Sequence, residues 1–478
     1  MKKKIISALL CASMVATMVA GCGGSSDTTS TDNSNSGAAA PATESGSDAA
    51  ETDTTGDEGK VLNIYCWNEE FKSRLTDHYP GYEEVDATSG KIGDVTVKWN
   101  ITPNDDNAYQ NNLDATLLKQ ESAAADDKID LFLVEADYAL KYVDTDYTMP
   151  VADLGITDAD LANQYQYTKD IVTDSNGVLK GVSWQGCPGV LFYNRDAAKE
   201  VLGTDDPDEV QKYVSDWDTF NDTAETMKAA GYKMTSSVND TYRVYSNNVT
   251  SKWVEDGKIN IDDNIMKWVD QTKKYTDKGY NNKSSLWDST WAADQGPSGK
   301  VFGFFYSTWG INFTLLGNSL ATPVKEGGKE EVGNGIYGDY AVCEGPQSYY
   351  WGGTWICAAA GTDNANLVKD VMKTLCCDKA TMKKITEDTQ DYTNTTSGMN
   401  EIASSNFKSD FLGGQNHIKL FAKSAPKISM KNISSYDQGL NEEFQKAMKD
   451  YFDGNVTKDK ALDNFYKAAI EKYPNLSK

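Results

Sequence analysis

The chain has 478 residues, with 71 aspartate and glutamate residues against 46 lysine and arginine residues, which gives a formal net charge of −25. This acidic balance excludes a nucleic-acid-binding protein, because no basic stripe is available to displace counterions from phosphates. With only two histidines and no cysteine spacing typical of metal ligands, we expect neither a metal site nor a cofactor.

The N-terminus predicts an export signal over residues 1–21. Lys2, Lys3 and Lys4 precede an apolar run that is too short to span a bilayer. The sequence Val-Ala-Gly-Cys at 19–22 resembles the lipobox of bacterial lipoproteins, which implies cleavage before Cys22 and a diacylglycerol on its sulfur. The alternative is an ordinary secretory signal with an incidental cysteine.

Residues 22–59 are predicted to form a disordered tether that carries the lipidated cysteine. Serine, threonine, aspartate, glycine and alanine dominate the segment, and so few apolar side chains cannot offset the ordering entropy. The folded part then begins near Lys60, and its roughly 420 residues are enough for two domains. We expect the cysteines of this folded part to be mostly buried free thiols.

The first folded segment predicts an α/β lobe. Residues 60–75 change from an apolar strand to a helical pattern, 94–101 alternate as a strand, 107–120 have helical spacing, and 128–143 give a buried strand followed by a short helix. This alternation of strands and helices is typical of a largely parallel sheet. Ligands of such sheets bind at the carboxyl ends of the strands.

The remaining chain predicts two hinge-like extended pieces and several helices. The extended pieces, Val178 to Trp184 and Val190 to Tyr193, flank a Gly-Cys-Pro-Gly turn. A helix over 217–231 is expected to be capped by Asp216 and stopped by Gly231. Further helical patterns surround 267–275 and 367–377, and 436–473 predicts two amphipathic helices separated at Gly454.

Several of these stretches, taken in order, resemble the extracellular solute-binding proteins (family 1) of carbohydrate ABC transporters. They include "DLFLVEADY", "GVSWQGCPGVLFYNRD", "WDTFNDTAETMKAAGY", "GKVFGFFYSTWG" and "WGGTWICAAAGTDNANLVKDVMKTL". The resemblance implies a two-lobed periplasmic-binding-protein-like fold, with a sugar held in the cleft between lobes that are joined by hinge strands. It also implies a monomer that delivers its solute to a membrane permease from the extracellular face of the bacterial cell membrane.

The resemblance places the crossovers between lobes near 183–189, 352–357 and 403–408. Glycine and proline in the first of these segments and glycine in the second suit a hinge, because they can absorb changes of backbone angle. The implied lobes are 61–183 plus 356–405 for lobe one and 184–355 plus 406–478 for lobe two.

Sugar recognition needs flat aromatic surfaces for the C–H face and carboxylates or amides for the hydroxyls. The candidate ligand-binding residues combine these types at strand ends and at the proposed hinge: Trp67, Asn68, Glu69, Asn107, Glu135, Asp137, Trp184, Gln185, Trp309, Trp351, Gly352 and Gly353. Weaker candidates are Tyr242, Trp287, Trp291 and Tyr392, while Arg243 and His417 are interpreted as structural.

These candidates have structural alternatives. Trp67 could be a core residue, and Glu69, Glu135 or Asp137 could cap the helix that follows each of them. Two other functions also stay open at this stage. A polyamine would suit tryptophans mixed with carboxylates, and a secreted glycoside hydrolase would need two such carboxylates about the scissile bond. No nucleophile motif or phosphate-binding loop accompanies them, so we expect a binding protein and not an enzyme.

Overall fold

The structure, a computed structural model, describes residues 59–478. The predicted leader, Cys22 and nearly all of the predicted tether lie outside the described residues. Within residues 59–478, no helix is both long and apolar enough to cross a membrane.

The described residues form twelve strands and seventeen α-helices. The strands are β1 (Val61–Cys66), β2 (Tyr82–Asp86), β3 (Ser89–Ile92), β4 (Val95–Ile101), β5 (Leu131–Glu135), β6 (Pro188–Asn194), β7 (Val254–Glu255), β8 (Lys258–Ile259), β9 (Gly303–Ser307), β10 (Tyr340–Cys343), β11 (Tyr349–Tyr350) and β12 (Thr354–Ala358). The helices are α1 (Glu70–His78), α2 (Ala108–Leu117), α3 (Ala139–Val143), α4 (Gln166–Asp170), α5 (Arg195–Leu202), α6 (Pro207–Tyr213), α7 (Trp217–Ala229), α8 (Tyr242–Ser246), α9 (Asp263–Lys278), α10 (Ser289–Asp294), α11 (Leu316–Ser319), α12 (Ala365–Cys376), α13 (Lys379–Thr389), α14 (Thr396–Ala403), α15 (Ile418–Ser424), α16 (Asp437–Phe452) and α17 (Lys458–Lys472).

The first lobe is built on a six-stranded sheet with the order β12-β5-β1-β4-β3-β2. Strand β1 pairs in parallel with β4 and β5, but the other three pairings are antiparallel, so the sheet is mixed and the prediction of a largely parallel sheet holds only for its centre. The edges are antiparallel, because β12 returns beside β5 and the hairpin β2–β3 continues from β4. That hairpin was not predicted from the sequence, since β2 is almost wholly exposed and lacks a buried apolar face.

The second lobe is built on a four-stranded antiparallel sheet in which β6 pairs with β9, β10 and β11. Strand β6 contains the predicted strand Val190 to Tyr193, and β6 and β9 are buried along nearly their whole length. The other extended piece, Val178 to Trp184, is not a strand and makes only isolated bridges, at Leu179 and Val182. The predicted extended piece therefore does not form a continuous strand, because its pairing with the edge strand β12 is limited to Val182.

The chain passes between the two sheets at the segments that flank Gln185 and Gly352. Val182 pairs with Ile356 of β12, so the outgoing and returning chains run side by side. The proposed boundary between 355 and 356 falls inside β12, all of which pairs with β5 of the first sheet, and the lobe boundaries stay a prediction.

The predicted start and end of α7 and the predicted break between the last two helices are confirmed. Asp216 accepts a hydrogen bond from Thr219 N at 2.8 Å and caps α7, and Gly231 follows the helix with φ +88°. Gly454 separates α16 from α17 at φ +80°. The six cysteines of the described residues are free, and five of them are buried.

Candidate functional site

Four aromatic side chains form a surface on the second lobe, which we call the aromatic platform: Trp287, Trp309, Phe313 and Trp351. The rings of Trp309 and Trp351 lie 5.1 Å apart, and Trp287 lies 6.3 Å from Trp309 at an interplanar angle of 27°. Trp287 is 52% exposed and Phe313 is 37% exposed, whereas Trp351 is buried against Tyr306. The platform therefore rests on the core and offers indole and phenyl surface to solvent.

The local backbone fixes the orientation of Trp309. Its indole Nε1 donates to the carbonyl oxygen of Trp351 at 2.8 Å. Gly352, at φ +75°, lies so close that a Cβ there would be 2.9 Å from the same nitrogen. Two residues after Trp309, the chain forms a π-helix over Ile311–Leu315, a rare conformation that often marks functional sites. Trp309 and Trp351 with Gly352, which the sequence analysis proposed separately as ligand-binding residues, therefore lie together.

A buried polar group, which we call the hinge cluster, joins the platform to the first lobe. Its members are Glu70, Gln185, Thr308 and Asp391. Gln185 Nε2 donates to Glu70 Oε1 at 3.0 Å and to Asp391 Oδ2 at 2.8 Å, and Thr308 Oγ1 donates to the other oxygen of Asp391. The backbone N–H of Thr354 donates to Gln185 Oε1 at 3.0 Å. The bonds of the buried Gln185 side chain thus run to first-lobe residues, and Thr308 of the second lobe joins the cluster through Asp391.

The electrostatics of the hinge cluster favour a protonated carboxyl. Burial raises the pKa of Glu70 to about 7, the nearby Arg74 guanidinium opposes that rise, and the negative charge of Asp391 adds to it. Glu70 and Asp391 contact the same buried amide of Gln185, so a negative charge on Glu70 beside the Asp391 carboxylate is energetically unfavourable.

At the carboxyl end of β5, Glu135 and Asp137 meet a cation from the second lobe. Arg243 of α8 donates from Nη1 to Asp137 Oδ1 at 2.6 Å and from Nη2 to Oδ2. Glu135 Oε2 accepts the backbone N–H of Asp137 at 2.8 Å. Burial, followed by the charge of Asp137, raises the pKa of Glu135, and Arg243 opposes that rise. Asp137 therefore does not cap α3, and Arg243, which sequence reasoning left as structural, spans the two lobes.

A cavity of about 210 Å³ lies beside this ion pair. Asp137 and Leu140 of the first lobe line it together with Arg243, Tyr350, Asp437 and Asn441 of the second. Burial raises the pKa of Asp437 to about 7. Of the twelve sequence candidates, only Asp137 lines this cavity, so the aromatic platform and the cavity are separate parts of the interlobe region.

Trp67, Asn68 and Glu69 leave β1 at the same sheet edge as Glu135. The Trp67 ring packs edge-on against Tyr109 at 5.6 Å, and Asn68 Oδ1 accepts the N–H of Glu70 at the start of α1. Glu69 is exposed and makes no capping bond. Trp67 remains half-buried, and within residues 59–478 no ring pair joins it to the platform.

Asn107 reaches the second lobe, whereas Trp184 is removed from the cleft. Asn107, left-handed at φ +61°, accepts a hydrogen bond from Gln438 of α16 at 3.3 Å. Trp184 has no exposed surface and stacks on Phe71 at 5.6 Å and 22°. The expectation that Trp184 faces a ligand at the hinge is thus corrected, because its indole completes the core of the first lobe.

The remaining candidates divide by exposure. Gly353, at φ +103°, lies beside Cys187 and Trp355 and allows the chain to turn after Trp351. Tyr242, Trp291 and Tyr392 are buried. The sequence did not identify three residues of the candidate site: Arg243, Asp437 and Phe313. An arginine on a short helix and an aspartate on an amphipathic helix give no signal that distinguishes them from solvated surface charges.

The family comparison gives a match over residues 85–411, to a family described as bacterial extracellular solute-binding proteins. The match covers more than half of the chain. This family is one of binding proteins and not of enzymes, which removes the glycoside hydrolase alternative. A search among curated proteins finds no match.

Solved structures share the two-lobed fold. An extracellular solute-binding protein of family 1 superposes with a TM-score of 0.67 at 16% identity, over 86% of this chain and 99% of its own. The ABC transporter-associated binding protein of B. animalis subsp. lactis Bl-04, in complex with β-1,6-galactobiose, gives 0.64 at 15% identity over 87% and 99%. The galacto-N-biose/lacto-N-biose I-binding protein of Bifidobacterium longum, with lacto-N-biose, gives 0.62 at 14% over 88% and 98%.

Proposed function

This chain belongs to the bacterial extracellular solute-binding proteins, and from that premise we propose that it captures a carbohydrate between its two lobes and delivers it to an ABC transporter permease. The single observation that carries the proposal is the aromatic platform. Trp287, Trp309 and Phe313 expose flat ring surface on a rigid support, as the C–H face of a sugar requires.

The polar groups around the cleft are suited to hydroxyls. Asp437 and Asn441 lie one helical turn apart on α16 and line the cavity. Glu69 and Asn107 are exposed at the opposite lobe. Carboxylate and amide groups of this kind bind paired hydroxyls through strong directional hydrogen bonds.

A polyamine is disfavoured by the charge that stands in the cleft. Asp137, the strand-end carboxylate that an ammonium group would contact, accepts hydrogen bonds from Nη1 and Nη2 of Arg243. An ammonium ligand would have to displace or approach that cation, which costs Coulomb energy. A neutral polyol meets no such repulsion.

Closure of the lobes would complete the site. The sugar binds first to one lobe, and the lobes then close by bending at the segments near Gln185 and Gly352. The closed state must bind the sugar more tightly than the open state, because closure cannot follow from equal affinities. The Asp137–Arg243 pair and the Asn107–Gln438 bond support the closed arrangement by joining the lobes on either side of the cleft.

A thermal-shift screen tests this function. The purified chain is heated with a panel of mono- to tetrasaccharides, and with putrescine, spermidine and short peptides as comparison solutes. Binding to the native state raises the melting temperature by mass action. We expect a rise with at least one carbohydrate and none with the amines. A rise with polyamines alone would overturn the proposal.

We further propose that the protein is a lipoprotein anchored to the cell membrane through Cys22, without a spanning segment. The support is the sequence Val-Ala-Gly-Cys after an apolar run, and two lobes held on a tether would stay within reach of the permease. Metabolic labelling of expressing cells with an alkyne palmitate analogue tests it. Wild type should be labelled and Cys22→Ser should not, whereas labelling of both would contradict the anchor at this residue.

A further inference from the structure

The side-chain amide of Asn441 is held in one orientation at the interlobe cavity. Its Oδ1 accepts hydrogen bonds from the Tyr242 hydroxyl and, at 3.1 Å, from the Trp253 indole nitrogen. An indole N–H can only donate, so the amide oxygen must face Trp253 and Nδ2 must face away from it. Asn441 lines the cavity, and within residues 59–478 its Nδ2 has no hydrogen-bond partner. The chain therefore presents an oriented, unused donor at this wall.

Asp437 supplies an acceptor beside that donor. It lies four residues before Asn441 on α16 and lines the same cavity. Side chains at this spacing are neighbours, with Cβ atoms about 5–6 Å apart. Asp437 Oδ1 accepts the Ser434 hydroxyl at 2.6 Å, whereas Oδ2 makes no hydrogen bond with the part of the chain that the structure describes. A fixed donor and a free acceptor thus lie side by side.

The cavity favours an uncharged ligand group. Its charged side chains other than Asp437 are compensated within the chain: Asp137 pairs with Arg243, Lys427 pairs with Glu344, and Asp262 accepts hydrogen bonds from Thr250, Ser251 and Asn264. Burial raises the pKa of Asp437 to about 7. A cationic ligand group would meet the guanidinium of Arg243 and an anionic one would meet the carboxyl of Asp437, so both are opposed by Coulomb repulsion.

Four apolar side chains also line the cavity, and all four are only half-buried: Leu140, Val249, Met430 and Ile433. Two hydroxyls bonded to Asp437 and Asn441 would leave this apolar surface in contact with water. An amide that carries a methyl group would use both the donor and the acceptor and would also cover apolar surface, which is favourable.

We propose that this cavity binds an acetamido group, so that the ligand contains an N-acetylhexosamine and Asn441 and Asp437 determine that preference. This inference rests on the proposed function. Asn441 Nδ2 donates to the acetamido carbonyl oxygen, the acetamido N–H donates to Asp437, and the methyl group packs against the apolar side chains. Residues of both lobes line the cavity, so a sugar held between the lobes can place its 2-substituent there.

The inference is tested by calorimetric titration with pairs of sugars that differ in the 2-substituent. The pairs are glucose and N-acetylglucosamine, galactose and N-acetylgalactosamine, and cellobiose and N,N′-diacetylchitobiose. Two further probes vary the substituent itself. Glucosamine carries an ammonium group in place of the amide, and N-formylglucosamine keeps the amide but lacks the methyl group.

The variants change one atom of each polar side chain. Asn441→Asp keeps an oxygen facing Tyr242 and Trp253 and removes the Nδ2 donor, and Asp437→Asn replaces the free Oδ2 acceptor with a donor while an oxygen still accepts from Ser434. Asn400→Asp is the control, because it adds the same charge as Asn441→Asp at an exposed position on α14.

In wild type, we expect the N-acetyl sugar of at least one pair to bind at least about tenfold more tightly than its hydroxyl counterpart. N-formylglucosamine should bind about fourfold more weakly than N-acetylglucosamine, because it buries no methyl group. Glucosamine should bind no more tightly than glucose. Asn441→Asp and Asp437→Asn should lose most of the preference for the N-acetyl sugar, and Asn400→Asp should keep it.

Three results would overturn the inference. Equal affinities within every pair, in a wild type that binds sugars, show that the cavity does not take an acetamido group, while the proposed function stands. An N-acetyl preference that both cavity variants retain places its recognition elsewhere. Tighter binding of glucosamine than of N-acetylglucosamine shows a cation site. Failure of wild type to bind any of these sugars would instead count against the proposed function, and the acetamido inference would fall with it.

Discussion

The side chains of Arg243 and Asp137 form a planar bidentate ion pair that joins the two lobes. The positive charge of Arg243 also favours the charged form of Glu135. Such bidentate arginine–carboxylate pairs are among the stronger hydrogen-bonded contacts in proteins. The pair is only partly exposed, with 21% of the arginine side chain and 29% of the aspartate side chain accessible. Removal of the guanidinium leaves two neighbouring carboxylates facing each other at the cleft, which is more costly than loss of the contact alone.

We predict that Arg243→Met weakens sugar binding and lowers the melting temperature at about pH 8, with partial recovery at about pH 6. The recovery follows because Glu135, whose pKa is already raised by burial, takes up a proton more readily once the arginine is gone. Calorimetry and thermal unfolding at both pH values measure this. Lys446→Met, which removes an exposed charge on α16, is the control. Equal losses at both pH values would contradict the account.

At the residue scale, sequence reasoning found the ring types but not their environments. Trp309 and Trp351 lie at the ends of apolar strands and are recognisable there, whereas Trp184 occupies an equally suggestive position and is buried against Phe71. Whether an indole faces a core or a cleft depends on the packing of distant helices. That information is absent from the local sequence.

At the scale of elements, the segment from β11 to β12 links the second sheet to the first. Tyr349 and Tyr350 pair with β6, and four residues further on Thr354 begins the pairing with β5. The turn between them requires Gly352 and Gly353, both left-handed, and brings the backbone against Trp309. The geometry of this segment therefore sets both the lobe connection and the platform.

We predict that Gly352→Ala reduces sugar affinity and lowers the melting temperature. The added Cβ would lie 2.9 Å from the Trp309 indole nitrogen, and the alanine would have to keep a positive φ. We therefore expect the Trp309–Trp351 hydrogen bond to be disrupted. Gly317→Ala is the matched control, because Gly317 lies in α11 with open space around it. We expect that control to be neutral or slightly stabilising.

Melting curves and sugar titrations of the two glycine variants provide the comparison. A Gly352→Ala variant with wild-type affinity and stability would show that the turn is not constrained as described.

Elements were predictable where periodicity was strong. The strands β1, β4 and β5 and the helices α7, α9, α12, α16 and α17 follow from apolar patterns and caps. The polar hairpin β2–β3 escaped detection because its stability comes from pairing with β4 and not from a buried face of its own. The extended piece before Trp184 forms isolated bridges and no continuous strand. Apolar composition alone cannot distinguish a strand from a buried extended loop.

On the scale of the whole molecule, the buried carboxyls set the dependence of stability on pH. Burial raises the pKa of Glu70 and Asp437 to about 7 and that of Asp130 and Asp240 to about 6. Each holds its proton more tightly when folded, so its contribution to the free energy of unfolding is present at low pH and is lost as pH rises through the folded-state pKa. His417 acts oppositely, because burial lowers its pKa to about 4.

We predict a higher melting temperature at about pH 5.5 than at about pH 8, because the carboxyls with raised pKa values, Glu135 among them, outnumber the two histidines, His78 and His417, whose pKa values burial lowers. Partial neutralisation of the net charge of −25 acts in the same direction. Glu70→Gln should reduce this difference in melting temperature, since it removes one of the carboxyls with a raised pKa. A melting temperature that rises steadily from acid to alkaline pH would contradict the assignment.

The resemblance predicts the division into two lobes, but not the contacts that join them. Asp137–Arg243 and Asn107–Gln438 join residues 106 and 331 positions apart. Such pairs depend on how the two lobes dock, and no local pattern in the chain encodes that.

The most direct measurement is a calorimetric titration of wild type and Trp309→Ala with the carbohydrate that gives the largest thermal shift. The account predicts saturable one-to-one binding by wild type and a loss of at least about tenfold in Trp309→Ala, with the fold retained in far-ultraviolet circular dichroism. Undiminished affinity in Trp309→Ala, or no heat of binding with any sugar in wild type, would contradict a carbohydrate held on the aromatic platform between the lobes.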